Sequence, residues 1–121
     1  MKALVVDDSM TIRRIVIKAL GMAGITDAAE ASDGMEAVQA VKSYKFNVIL
    51  LDWNMPKMSG IDTLRTIRRS GNMTPVIMVT TEAEKSRVIE AIKAGANDYL
   101  IKPFSPEQLA EKVKSVVAAP A

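Results

Sequence analysis

Three aspartates, a threonine and a lysine in this 121-residue chain each stand directly after a short apolar run. Asp7 and Asp8 follow Ala3 to Val6, Asp52 follows Val48 to Leu51, Thr80 follows Val76 to Val79, and Lys102 follows Tyr99 to Ile101. If those runs are neighbouring strands of one parallel sheet, the groups meet at a single edge, because open parallel sheets bind ligands beyond the carboxyl ends of their strands. Carboxylates so gathered repel, at roughly 4 kcal/mol for each pair 4 Å apart in an effective dielectric of about 20. Lys102 offsets one charge, and the rest call for a divalent cation. An all-oxygen donor set favours Mg²⁺ over zinc or copper. Mg²⁺ held by few carboxylates keeps several waters and usually serves a phosphate, and an aspartate can itself be the nucleophile that forms an aspartyl phosphate. Phosphoryl transfer needs alignment and charge neutralisation, which a metal, an ammonium and a hydroxyl supply around the transferring oxygens.

Composition narrows the alternatives. The chain has no cysteine, which excludes disulfides and thiolate chemistry, and no histidine, which removes the commonest general base and transition-metal ligand. Any catalysis must run on carboxylates, hydroxyls and lysine. Net charge is +2, and no like-charged run exceeds the pairs Arg13-Arg14 and Arg68-Arg69, so no nucleic-acid footprint stands out. The N-terminal apolar stretch, Ala3 to Val6, is too short for a signal peptide or a membrane span, and the chain reads as cytoplasmic without membrane insertion. With 49% hydrophobic and 25% charged residues, residues 1–121 read as one globular domain.

The elements that must position these groups alternate in character along the chain. Lys2 to Val6 reads as a strand, followed by a helix from about Met10 to Met22 with Ile12, Ile15, Val16, Ala19 and Leu20 at helical spacing, stopped near Gly24. A weak strand near Asp27 to Ala31 leads to an Asp33 cap with Glu36 three residues on, then a helix turning Ala37, Val38 and Val41 inward. Val48 to Leu51 is the third strand, and Ser59 caps a helix carrying Ile61, Leu64 and Ile67. After the strand Val76 to Val79, Thr81 and Glu84 have capping-box spacing and open a helix through Val88, Ile89 and Ile92 that ends at Gly95. If Thr81 caps that helix, Thr80 is free for the site. Tyr99 to Ile101 is the last strand. Ser105, Pro106 and Gln108 open a final helix with Leu109, Val113 and Val116 along one stripe, and Val117 to Ala121 reads as a frayed end. Five such repeats imply an α/β fold, a doubly wound parallel sheet with helices on both faces, since continuous apolar strands are those covered twice.

The segments VVDDS, LLDWNMPKMSG, MVTTEAEK and AGANDYLIKPF resemble, in order and spacing, the receiver domains of two-component response regulators, and among these the chemotaxis regulators. The resemblance implies a flavodoxin-like (βα)5 fold with strand order 2-1-3-4-5. It implies that Asp52 accepts a phosphoryl group from a histidine kinase, that Asp7, Asp8 and Asp52 hold Mg²⁺ with the backbone carbonyl of Asn54, and that Thr80 and Lys102 bind the phosphoryl oxygens. It further implies that Thr80 and Tyr99 move together as a switch, that Asn54 and Glu82 tune the lifetime of the modification, and that Lys102-Pro103 is a cis bond. The surface of helix 4, strand 5 and helix 5 would then change for a downstream protein target such as a flagellar motor switch, with the chain a monomer. Ser9 and Met10 depart from the family pattern beside the acidic pair.

Each residue also has a plainer reading. Asp7 and Asp8 could cap a helix, Asp52 could end a strand, Lys102 could be a surface lysine and Tyr99 could be sheet cover. Trp53 beside Asp52 is a ready fluorescence reporter. Three classes of function follow: a phosphoacceptor switch, free-standing or part of a longer regulator; an aspartate-nucleophile phosphohydrolase; and a flavodoxin-like electron carrier. The second usually has Asp-x-Asp after its first strand and a cap domain, whereas this chain has Asp7-Asp8-Ser9. The third needs amide donors where Asp7 and Asp8 would repel a flavin phosphate.

Overall fold

The computed structural model describes residues 1–118. Strands β1 (Lys2–Val6), β2 (Asp27–Ala31), β3 (Val48–Leu51), β4 (Val76–Thr80) and β5 (Asp98–Ile101) alternate with helices α1 (Met10–Met22), α2 (Gly34–Ser43), α3 (Gly60–Arg69), α4 (Lys85–Ala94) and α5 (Pro106–Ala118). All strand pairings are parallel and the order is β2-β1-β3-β4-β5, so the chain reverses direction across the sheet between β1 and β3. Because side chains alternate along a strand, β1, β3 and β4 feed two cores. Leu4, Val6, Ile49, Leu51, Val76 and Met78 face Ala37, Leu64, Ile67 and Ala91 on the α2, α3 and α4 side. Ala3, Val5, Val48, Leu50, Ile77 and Val79 face Val16, Leu20, Leu109 and Val113 on the α1 and α5 side. This double coverage is why the central strands carry no polar alternation.

Local signals set most helix starts. Asp33 accepts the Glu36 amide, Ser59 the Asp62 amide, and Ser105 and Gln108 exchange the reciprocal bonds of a capping box. The Thr81–Glu84 box does not form. Helix α4 begins at Lys85, three residues later than the pattern predicts, with Glu84 at its cap position and no side-chain cap bond. Ile89 and Ile92, named with Val88 as apolar markers of this helix, are exposed, and only Ala91 of α4 is fully buried, with Val88 and Ala94 half-covered. A helix starting at Lys85 lays this narrow small-residue stripe against the core and leaves both isoleucines outside. Ile15 of α1 is likewise exposed, since Ile12, Val16, Ala19 and Leu20 already fill the stripe that α1 presents to the sheet. Val38 and Val41 are half-buried. Val117 and Ala118, expected to fray, belong to α5, and the rest of that predicted tail lies outside the described residues.

One side chain ties two loops at the end of the sheet opposite the strand tips. Arg68, near the end of α3, donates through Nε and Nη2 to the Gly95 carbonyl (3.1 and 2.8 Å), through Nη1 to the carbonyls of Asn72 (3.0 Å) and Thr74 (2.8 Å), and through Nη2 to Asn97 Oδ1 (3.1 Å). Gly95 has φ 111°, and a Cβ there would also meet the Arg68 side chain. Arg68→Ala leaves part-buried carbonyls without donors and is expected to cost about 2–3 kcal/mol of stability, while exposed Arg69→Ala changes it by less than about 0.5 kcal/mol. Urea unfolding of the two variants measures the difference.

Candidate functional site

Parallel pairing puts the carboxyl ends of β1, β3, β4 and β5 side by side, and the predicted residues meet there. Asp7, Asp8 and Asp52 each offer a carboxylate oxygen within 4.8 Å of the others. Asp7 and Asp52 are 4% and 7% exposed, and Asp8 lies open to solvent. Lys102 sits between the two buried acids, with Nζ 2.7 Å from Asp7 Oδ2 and 3.5 Å from Asp52 Oδ2. Its bond to Pro103 is cis. Asp7 is also bound through Oδ1, which accepts the Ser9 amide at 2.9 Å. Asp52 Oδ1 accepts the Trp53 amide at 2.8 Å.

Burial pushes the Asp52 carboxyl above its ordinary range; the Lys102 charge opposes this, Asp7 adds to it, and hydrogen bonds from the Thr80 side chain and the Trp53 amide oppose it again. Burial wins. Three carboxylates against one ammonium leave two negative charges uncompensated in a partly dehydrated cleft, which is the donor set and charge that a hard dication needs. The Asp7, Asp8 and Asp52 group is therefore compatible with Mg²⁺.

Thr80 is the last residue of β4 and fully buried. Its hydroxyl accepts the Glu82 amide at 3.2 Å, while the Glu82 carbonyl accepts the Tyr99 hydroxyl at 2.6 Å. One residue of the β4–α4 loop thus joins Thr80 to Tyr99. Burial, then the Glu82 charge, pushes the Tyr99 hydroxyl up to about 12, so it stays protonated and remains a donor at neutral pH. The predicted division of labour, with Thr81 capping α4, fails because α4 starts too late. Thr80 instead serves both the site and the loop. Asn54 is exposed, two residues after Asp52.

Two residues, Arg87 and Arg13, escaped the sequence reading of the site, and Gly60, read with Pro56 as part of a tight loop, makes a contact that reading did not show. Gly60 donates its amide to the Trp53 carbonyl at 2.7 Å, and a Cβ on it would collide with the Asp52 carbonyl oxygen and sit 2.8 Å from Trp53 Cα. Its place in the LLDWNMPKMSG segment marked a tight loop, though not this contact. Arg87 of α4 lays its guanidinium 5.4 Å from the centre of the Trp53 ring, and Trp53 is buried, not loop-exposed. Arg13 of α1 donates to the Asp7 carbonyl at 2.6 Å and to Glu30 Oε1 at 2.9 Å. Only its helical phase, in line with Val16 and Leu20, distinguishes it from Arg14.

A crowded acidic edge lies at the topological switch point, with a lysine bridging two of the acids, and comparison with known proteins identifies the family that carries it. The family profile described as response regulator receiver domain matches residues 3–114. The chemotaxis protein CheY of Pseudomonas aeruginosa is 45% identical over 118 residues, covering 96% of this chain and 95% of that protein. CheY1 of Helicobacter pylori is 44% identical over 120 residues, covering 97% of each. Among solved structures, CheY4 of Vibrio cholerae superposes with a TM-score of 0.88 at 38% identity, covering 95% of this chain and 97% of that one. The receiver domain of Francisella response regulator 1452 gives 0.89 at 35% identity, covering 96% and 95%. The chain belongs to the response regulator receiver family and is CheY-like, a phosphorylation-signalling switch, not a metabolic enzyme. No helix among the described residues is long and apolar enough to cross a membrane.

Two outcomes follow from this geometry. Between the ordinary value of 3.8 and its raised folded value, native Asp52 holds a proton that the unfolded chain has released, so stability falls as pH rises through that window and the ionised form remains a cost above it. Asp52→Asn removes that cost: it is expected to raise the Tm of metal-free protein at pH 7, with the gain shrinking toward pH 4. Calorimetry across that range measures it, and an equal or lower Tm at pH 7 contradicts it. Gly60→Ala pushes on backbone that cannot swing aside and is expected to cost about 3 kcal/mol in urea unfolding.

Proposed function

We propose that residues 1–121 form one receiver domain in which Asp52 accepts a phosphoryl group from a histidine kinase in a Mg²⁺-dependent reaction. The observation that carries the reading is the Lys102 ammonium bridging Asp7 and Asp52, with Asp8 completing the acidic group at the strand ends. An Asp52 carboxylate oxygen forms the bond to phosphorus as the bond from phosphorus to the donor's imidazole nitrogen breaks, and that nitrogen leaves with the electron pair. Asp7, Asp8 and Asp52, with the backbone carbonyl of Asn54, would hold the metal, which when bound would neutralise charge on the transferring oxygens. Lys102 is already within reach of the Asp52 oxygens, and the Thr80 hydroxyl faces them, so both can bind the phosphoryl group without long excursions.

Phosphorylation then competes for Thr80. A hydroxyl drawn toward the phosphoryl oxygens gives up the Glu82 amide, and the same Glu82 holds the Tyr99 hydroxyl through its carbonyl, which gives the switch its link from site to surface. Asn54 and Glu82 flank the cleft and set water access, hence the lifetime of the modification. The responding surface is that of α4, β5 and α5, where exposed Ile92 and Ile101 offer apolar area to a protein target such as the flagellar motor switch. The chain acts in the cytoplasm as a monomer, free-standing or as the receiver of a longer regulator, and catalyses only its own phosphorylation and dephosphorylation.

Incubation with Mg²⁺ and acetyl phosphate is expected to place a single alkali-labile phosphoryl group on Asp52, read by mass spectrometry. No label should form with EDTA or in Asp52→Asn. A label that survives in Asp52→Asn contradicts the assignment, and repeated turnover of small phosphate esters would favour a phosphohydrolase.

A further inference from the structure

We propose that Arg13 is a positioning residue for the Asp7–Asp8 pair and sets how tightly that pair holds Mg²⁺; the proposal rests on the metal reading above. Asp7 is held at nearly every polar atom. Its amide donates to the Ala31 carbonyl at the end of β2 (3.1 Å), Oδ1 accepts from Ser9, and Oδ2 accepts from Lys102. Its carbonyl is held by Arg13 Nη1 at 2.6 Å, a charge-assisted bond whose donor is itself anchored by Nε to Glu30 of β2. That carbonyl lies in the peptide plane joining Asp7 to Asp8, so fixing it fixes the direction in which Asp8 leaves the strand. Asp8 is exposed and its carboxylate makes no hydrogen bond among the described residues, so little else aims it.

Burial separates Arg13 from its neighbour. The Arg13 side chain is 14% exposed and spans α1, the β1 tip and β2, whereas Arg14 is 66% exposed, reaches Glu30 at 3.8 Å and Met10 Sδ on its own helix at 3.9 Å, and makes no bond to the β1 tip. Mg²⁺ demands near-ideal octahedral geometry, so a displaced Asp8 weakens binding, and loss of an outer-shell partner typically costs 10–100-fold in metal affinity. A second effect has the opposite sign. Removing a nearby positive charge favours a dication by Coulomb's law, and substitutions that keep or delete the charge separate the two effects.

The test is the Mg²⁺ dependence of Trp53 fluorescence and of Tm in metal-stripped protein. Arg13→Met deletes both charge and bond, Arg13→Lys keeps the charge without the two-armed reach, and Arg14→Met serves as control. Both Arg13 variants are expected to bind Mg²⁺ about tenfold more weakly, with Arg14→Met unchanged. Glu30→Gln, which loosens the anchor and leaves Arg13 in place, is expected to weaken binding less, and stands in should the Arg13 variants fail to fold. Wild-type or tighter affinity in Arg13→Met, or in Glu30→Gln where the former does not fold, overturns the proposal. Wild-type protein that takes up no Mg²⁺ sinks the metal reading itself, and the proposal with it.

Discussion

The mutual repulsion of Asp7, Asp8 and Asp52 is the constraint around which the strand tips are organised. Without a counter-charge three gathered carboxylates would force the edge apart, and Lys102, reaching back from the end of β5, is the cation that meets the two buried ones. It compensates incompletely. The remaining negative charge makes the cleft receptive to a dication, and burial of Asp52 keeps that carboxylate poorly solvated and responsive to whatever binds beside it. The same incompleteness gives the site a reason to change state, since a site satisfied by its own residues would gain little from a ligand.

The framework holds this unfavourable arrangement by rigidity elsewhere. Strands covered on both faces fix the tips relative to one another, and the loop after Asp52 is locked by the approach of Gly60 to the Asp52 carbonyl. Arg68 fastens the opposite end of the sheet. The β4–α4 loop is built differently. It has no side-chain cap on α4, and it is held by the Thr80 and Tyr99 hydroxyls at Glu82. A segment secured by a few polar bonds, with little apolar burial, is the part of such a fold that reorganises at modest cost.

Much of this was legible in the sequence. Strand runs ending in Asp, Thr and Lys carried the parallel sheet and the meeting of its tips, because buried parallel strands have one composition and their tips one location, while the strand order was what the family resemblance implied. Even the weak strand Asp27–Ala31 formed, paired in register with β1 at the edge where only partial burial is needed. What failed has a common cause. Periodicity reports which residues repeat, not how much surface waits to cover them, so Ile15, Ile89 and Ile92 help mark their helices in the sequence yet lie outside the core. Spacing at Thr81 and Glu84 reads as a cap only if the helix starts there, and the loop's bonds to Thr80 and Tyr99 delay it to Lys85. Arg13 and Arg87 were invisible because an arginine that bonds a carbonyl or covers an aromatic ring looks, in sequence, like any surface arginine.

A crystal structure grown with Mg²⁺ and beryllofluoride, a stable phosphoryl mimic, tests the central claim most directly. The account predicts the mimic on an Asp52 carboxylate oxygen, the metal against Asp7, Asp8 and Asp52, and Lys102 and Thr80 on the fluorides. Mimic or metal bound elsewhere, with Asp52 unoccupied, would contradict it.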